Sequence, residues 1–388
     1  MTDTLTLVEP DGSTRTIELA PAAQLTRPHG PLTGRVAYAA AHVVPRASAD
    51  NTPGEPADID WDATLAFRHH LFSWGLGVAD AMDTAQRNMG LDPAAVRELI
   101  TRSAAEASAA GARIVVGVNT DHVKDEVISL PQVINAYKEQ LFHAEDAGAG
   151  AVLMASRHLA RAAQSADDYR RVYDEVLSVA SAPVVLHWLG TAFDPHLAGY
   201  FGSHDWRVAA DAVVAIIETN RENVAGIKMS LLDAESEIAV RRRLPAGARM
   251  FTGDDFHYCS LIEGDEQGGS DALLGAFAAL APHASGAIQA LGDGDTERYR
   301  AILEPTEALS RQIFAAPTFY YKTGVAFMAW LNGHQAAFQM VGGLHAARSL
   351  PHLSRIVDLA NACGALEHPE VAAARWRSLL ELNGIGAA

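Results

Sequence analysis

Short apolar runs recur along the chain from about residue 34: 34–44 (GRVAYAAAHVV), 77–84 (GVADAMDT), 113–122 (RIVVGVNTDH) and 151–158 (AVLMASRH). Four more follow, at 182–190 (APVVLHWLG), 224–233 (VAGIKMSLLD), 249–257 (RMFTGDDFH) and 271–280 (DALLGAFAAL). Between them, segments such as 92–110, 132–147, 166–180 and 206–220 carry apolar residues three and four apart, the spacing of helices with one buried face. Continuously apolar strands alternating with such helices predict an α/β protein with a parallel sheet covered on both sides. Eight units over roughly 250 residues match a (β/α)8 TIM barrel in count and length. An open doubly wound sheet would place a glycine-rich phosphate loop after its first strand, and neither GxGxxG nor GxxxxGK[ST] occurs.

The flanks have a different rhythm. Residues 4–19 (TLTLVEPDGSTRTIEL) read as strand, turn, strand, with Pro10-Asp11-Gly12 supplying the turn. Residues 45–60 are polar and proline-rich, an exposed loop. After about residue 295 the pattern is wholly helical, at 296–314, 322–332, 335–348, 352–364 and 369–383. Three regions are therefore expected: an N-terminal hairpin extension (1–33), the barrel (34–295) and a C-terminal helical appendage (296–388).

Composition narrows the function. The 388 residues are 49% hydrophobic, which excludes disorder as the whole answer. A net charge of −17 argues against a nucleic-acid partner, and the one basic run, Arg241-Arg242-Arg243, is expected on a solvated helix. No apolar run approaches the roughly 20 residues of a membrane span, and the N-terminus shows no charged-then-apolar leader. Cys259 and Cys363 form neither a disulfide framework nor a zinc spacing. A cytoplasmic protein without membrane partners is expected.

Barrel enzymes carry their chemistry at the C-terminal ends of the strands. Those ends read His42; Asp83 and Thr84; Asn119, Thr120, Asp121 and His122; Arg157 and His158; His187 and Trp188; Lys228 and Ser230; Asp254, Asp255 and His257. Only four of the 30 basic residues are lysine (Lys124, Lys138, Lys228 and Lys322), and the others read as helical or surface positions, whereas Lys228 interrupts a buried strand. Bringing a lysine from about 10.4 to about 7.5 takes roughly 4 kcal/mol against its charged form, so such an amine is ion-paired, here with Asp254 or Asp255, or used. A neutral, desolvated amine is what attack on a carbonyl requires.

The lysine strand carries a resemblance. GIKMSLLD (226–233), followed by MFTGDD (250–255), resembles the Schiff-base lysine strand and next strand of the dihydrodipicolinate synthase / N-acetylneuraminate lyase family, G-[IV]-K-x-[ST]-x-x-D and then [ST]-G-x-D. AEDAGAGAVLMAS and APVVLHWLG are similar to the strands before it, and the likeness extends from about residue 61 to 345. It implies a class I, imine-forming lyase, an aldolase or dehydratase, that is oligomeric (dimer or tetramer) and needs neither metal nor cofactor. Where the family has Leu-Tyr-Asn with a proton-shuttling tyrosine, this chain has Leu186-His187-Trp188; the carboxylate-binding arginine beyond it is missing from Gly190-Thr191-Ala192-Phe193. The Gly-Thr-Thr-Gly-Glu loop is Asp83-Thr84-Ala85-Gln86-Arg87, and the strand-four tyrosine pair is Arg157-His158. These departures point away from a pyruvate-like substrate, toward a polyhydroxylated, sugar-derived keto compound.

Lys228 is thus expected as nucleophile and His187 as the acid/base, an imidazole titrating near neutrality. Asp83, Thr84, Asn119, Arg157, His158, Ser230, Asp254 and Asp255 are expected to bind substrate. The added stretch 199–208 (GYFGSHDWRV) is expected to shape or cover the site. A metal-dependent sugar isomerase or hydrolase using His122 and His257 is the competing reading, and a non-catalytic ligand-binding barrel the third.

Overall fold

The structure, a computed structural model, describes residues 4–386. Eight parallel strands close into a barrel: β3 (Ala37–Ala40), β4 (Gly77–Asp80), β5 (Ile114–Val118), β6 (Gly150–Leu153), β7 (Val184–Leu189), β8 (Val224–Ser230), β9 (Arg249–Thr252) and β10 (Asp271–Leu274). Each pairs with the next, and β10 returns to β3 through Ala272↔Ala37 and Leu274↔Ala39. Seven fall inside an expected apolar run, and β6 begins one residue before its run at 151–158. The N-terminal hairpin, β1 (Thr4–Val8) and β2 (Thr14–Glu18), forms its own antiparallel pair.

The connecting helices begin and end on local signals. Asp92 accepts hydrogen bonds from the amides of Ala94 and Ala95 to start Pro93–Ala110, and Gly111 ends it at φ +61°. Ser129 and Gln132 cap Leu130–Asp146 reciprocally. The barrel's interior is small-and-branched packing: Ala40, Ala79, Val115, Val152, Val185, Phe251 and Leu273 form one buried cluster. A second, larger apolar layer joins the strands' outer faces to the helices.

The helical region differs from the sequence pattern twice. The expected helix 296–314 is two, Thr296–Leu303 and Thr306–Ile313, broken at Pro305, whose ring removes a backbone donor. Residues 335–348 contain no α-helix. The chain turns through Val341–Ala347 in 3-10 geometry, with Gly342 and Gly343 at φ +64° and +72°, which an α-helix cannot accommodate. The other three are helices Tyr321–Leu331, Leu350–Ala362 and Pro369–Leu382.

This region docks the hairpin and roofs the barrel. Trp376 donates its indole N–H to the Thr6 carbonyl at 2.7 Å, and the Val8 amide donates to Ser354 Oγ at 2.7 Å. Asn361 accepts from the Ala20 amide and donates to the Glu18 carbonyl. Arg241, Arg242 and Arg243 are all ion-paired, the first two to Asp265 and the third to Asp211. No helix among the described residues is long and apolar enough to cross a membrane.

Candidate active site

Parallel register sets His187 on β7 directly beside Lys228 on β8, and Ser230 lies one inward position further along. The Ser230 hydroxyl is 3.3 Å from His187 Nε2, while His187 Nδ1 is buried without a partner among the described residues. Gly253, just past β9, leaves room for the lysine arm. A Cβ there would sit 2.7 Å from Lys228 Cε and 2.1 Å from Ser230 Oγ.

Lys228 is 7% exposed, and among the described residues it has no hydrogen bond and no ion pair. The expected alternative, a contact pair with Asp254 or Asp255, is not formed. Burial lowers its affinity for a proton, while the more distant charges of Asp83 and Asp255 act the other way. Burial pushes the Asp255 carboxyl up, so it holds its proton into the neutral range; its Oδ1 accepts from the Ala276 amide at 2.9 Å. His187 differs from expectation. Full burial, with Lys228 adding to it, drives the imidazole well below its ordinary range, so it is neutral at physiological pH.

Asp83 opens a short turn after β4, half-buried, with its field reaching Lys228. Thr84 Oγ1 is 2.8 Å from the hydroxyl of Tyr321. Lys228, His187, Ser230, Asp83, Thr84 and Asp255 are therefore gathered around one point of the barrel mouth.

Four other expected residues are committed elsewhere. Asp254 accepts from the amides of Phe256 and His257 with one oxygen and bonds the His257 ring at 3.0 Å with the other, closing the turn before helix Tyr258–Glu263. His158 is held by the Thr120 hydroxyl at 2.7 Å and the Asp125 carbonyl at 2.9 Å, which pins the loop after β5. Asn119 accepts from the Thr120 amide at 2.7 Å. Arg157 pairs with Asp194 at 2.7 Å, linking the ends of β6 and β7. Within the 199–208 stretch, Tyr200 and Phe201 are buried against Tyr169, Tyr173 and Trp188, while residues 202–208 are exposed or half-buried. His122 and His257 do not converge, the first pairing with Glu139 and the second with Asp254.

Sequence reasoning missed what the helical region brings. Lys322, expected at a helical or surface position, is 4% exposed. It donates to the Phe319 carbonyl at 3.1 Å, and burial lowers it to about 8 against the fields of Asp83 and Asp194. Asp83 thus faces two buried amines. The available signal was the same one that marked Lys228, a rare lysine heading an otherwise apolar run, YYKTGVAFMAWL (320–331). Two arginines were also overlooked as struts. Arg68 holds Asp80 at the end of β4 with two hydrogen bonds, of 3.0 and 2.8 Å, both side chains fully buried. Arg87 bonds the carbonyls of Ala81 and Gly117 and pairs with Asp121.

The architecture is similar to solved structures of one enzyme type. It matches dihydrodipicolinate synthase from Aquifex aeolicus at 13% identity, covering 90% of this chain and 98% of that one, with a TM-score of 0.60. It matches 4-hydroxy-tetrahydrodipicolinate synthase from the methanotroph Methylacidiphilum fumariolicum SolV at 16% identity, covering 91% and 99%, with a TM-score of 0.62. For dihydrodipicolinate synthase from Bacillus anthracis the values are 13%, 84%, 98% and 0.63. At such identities the likeness is one of fold. No curated protein matches the sequence. The family described as "Protein of unknown function (DUF993)" matches residues 5–385, so the chain belongs to that family, built on the dihydrodipicolinate synthase barrel.

Proposed function

We propose that the protein is a class I lyase, an aldolase or dehydratase, in which Lys228 forms an imine with a polyhydroxylated, sugar-derived keto compound. The observation that carries this reading is a lysine buried on a barrel strand without a hydrogen bond or ion pair among the described residues, beside a neutral histidine. The lysine nitrogen adds its lone pair to the carbonyl carbon. The carbonyl oxygen gains two protons and leaves as water, and the protonated imine accepts electrons. In cleavage the hydroxyl on the departing carbon gives its proton to a base as the C–C bond breaks, and the enamine left behind takes a proton at carbon. In dehydration a base takes the C–H proton beside the imine and the β-hydroxyl leaves, protonated, as water. Water then returns ketone and amine.

A neutral imidazole suits this traffic because it accepts a proton at one nitrogen while donating from the other. His187 takes this role, with Ser230 as its neighbour. Asp255, protonated by burial, is a second proton source. Asp83, Thr84 and Ser230 hold substrate oxygens; Asn119, Arg157, His158 and Asp254 shape the walls around them. The same reading takes the enzyme as a cytoplasmic homo-oligomer acting on a small molecule, on its composition and the family resemblance.

Borohydride trapping with a panel of keto sugars and keto acids, followed by peptide mass spectrometry, tests the proposal. A reduced adduct on Lys228, absent from Lys228→Ala, is expected. An adduct on Lys322 alone, or none across the panel from folded protein, overturns it.

A further inference from the structure

A second cluster lies outside this site. His70 is in the last turn of helix Trp61–Ser73, His334 in the turn after Tyr321–Leu331, and Glu367 in the link between the last two helices. Their potential ligand atoms all lie within 4.8 Å of one another, and among the described residues no other three such side chains come so close. Both imidazole Nε2 atoms converge on one oxygen, Glu367 Oε1, at 2.9 Å from His334 and 3.7 Å from His70. Only the first is a hydrogen bond. The His70 ring has no hydrogen-bond partner among the described residues, although it is largely buried and stacked on Phe67. Two imidazoles and a carboxylate oxygen are thus turned toward one point, as the ligands of a metal ion are.

We propose that His70, His334 and Glu367 bind a divalent ion of the zinc class, with water as the fourth ligand. Ligands about 2.0–2.1 Å from a tetrahedral ion stand about 3.3 Å apart, and the observed 2.9 and 3.7 Å bracket that spacing. Nitrogen and carboxylate donors are the set such an ion takes. The backbone around each ligand is already fixed. The Glu367 amide donates to Asn332 Oδ1 at 3.0 Å, whose own amide group donates to the Ala365 carbonyl, and the His334 amide donates to the Ala329 carbonyl. The two imidazole rings lie 4.0 Å apart between centroids, so loading turns them away from each other. The ion ties the barrel's first helix to the C-terminal helices, and it takes no part in imine chemistry. Its fate is therefore independent of the function proposed for Lys228.

Chelator-stripped full-length protein titrated with Zn²⁺, and with Co²⁺ as a visible-absorption reporter, tests the site. Binding of one ion per chain, a tetrahedral Co²⁺ spectrum and a raised Tm are expected. Glu367→Gln, which keeps the size and fold, and His70→Ala are both expected to lose the spectrum and the Tm shift, while His69→Ala on the adjoining surface keeps them. Absence of binding by the wild type, or full binding by folded Glu367→Gln and His70→Ala, overturns the proposal and leaves a hydrogen-bonded cluster only.

Discussion

Burial disfavours the charged form of Lys228 in the folded protein, which makes the amine a burden on stability at neutral pH. The sign follows from its depressed affinity for protons. A group whose folded pKa lies below its unfolded value of 10.5 contributes fully only above that value, and the contribution is lost as pH falls. Lys228→Met is therefore expected to raise Tm at pH 7 while abolishing the imine adduct. The advantage shrinks as the pH of the melt approaches the unfolded value. Thermal melts across that range check this, and a lower Tm at every pH would show that the amine is held by contacts instead.

Strands and helices were legible to different depths. The eight barrel strands coincide with the apolar runs to within one residue, because a strand buried on both faces has nowhere to place a polar residue except at its ends. For the same reason Lys228 and His187 stood out. Lys322 did not, because a helix has polar and apolar faces and a lysine on it is unremarkable until packing shows that the whole of Tyr321–Leu331 is buried. Nor does a sequence say which polar strand-end residues face the mouth and which brace the walls: Asp254 and His158 look as available as Asp83, and only the partners distinguish them. The misread stretch 335–348 has helical spacing, but the Gly342-Gly343 pair prefers a turn. At this scale the tight place is Gly253. Gly253→Ala sets a methyl against Lys228 Cε and, at 2.8 Å, the Met229 carbonyl, which cannot rotate away. Turnover is expected to fall roughly tenfold or more, about 1.4 kcal/mol or greater in the barrier, with the protein still folded. Steady-state kinetics alongside circular dichroism measure it; unchanged turnover would mean that the lysine arm lies elsewhere.

Across the whole molecule, the two ends of the chain hold each other. The hairpin's Thr6 and Val8 bond to Trp376 and Ser354, and Asn361 fastens the segment after β2. Trp376→Phe removes the indole donor to the Thr6 carbonyl, an expected loss of about 0.5–1.5 kcal/mol. It should also open the hairpin turn to proteolysis before the barrel unfolds. Equal melting and identical digestion of wild type and variant would contradict that coupling.

That mutual hold has a consequence for a chain made one residue at a time. A ribosome releases the hairpin long before its docking helices, so β1 and β2 wait through synthesis of the barrel for the surfaces that Leu350–Ala362 and Pro369–Leu382 supply. The barrel itself closes earlier, once β10 reaches β3, and encloses Lys228 without its roof. Tyr321 and Lys322 arrive afterwards, so a truncated or stalled product would contain the amine but not the finished pocket around it.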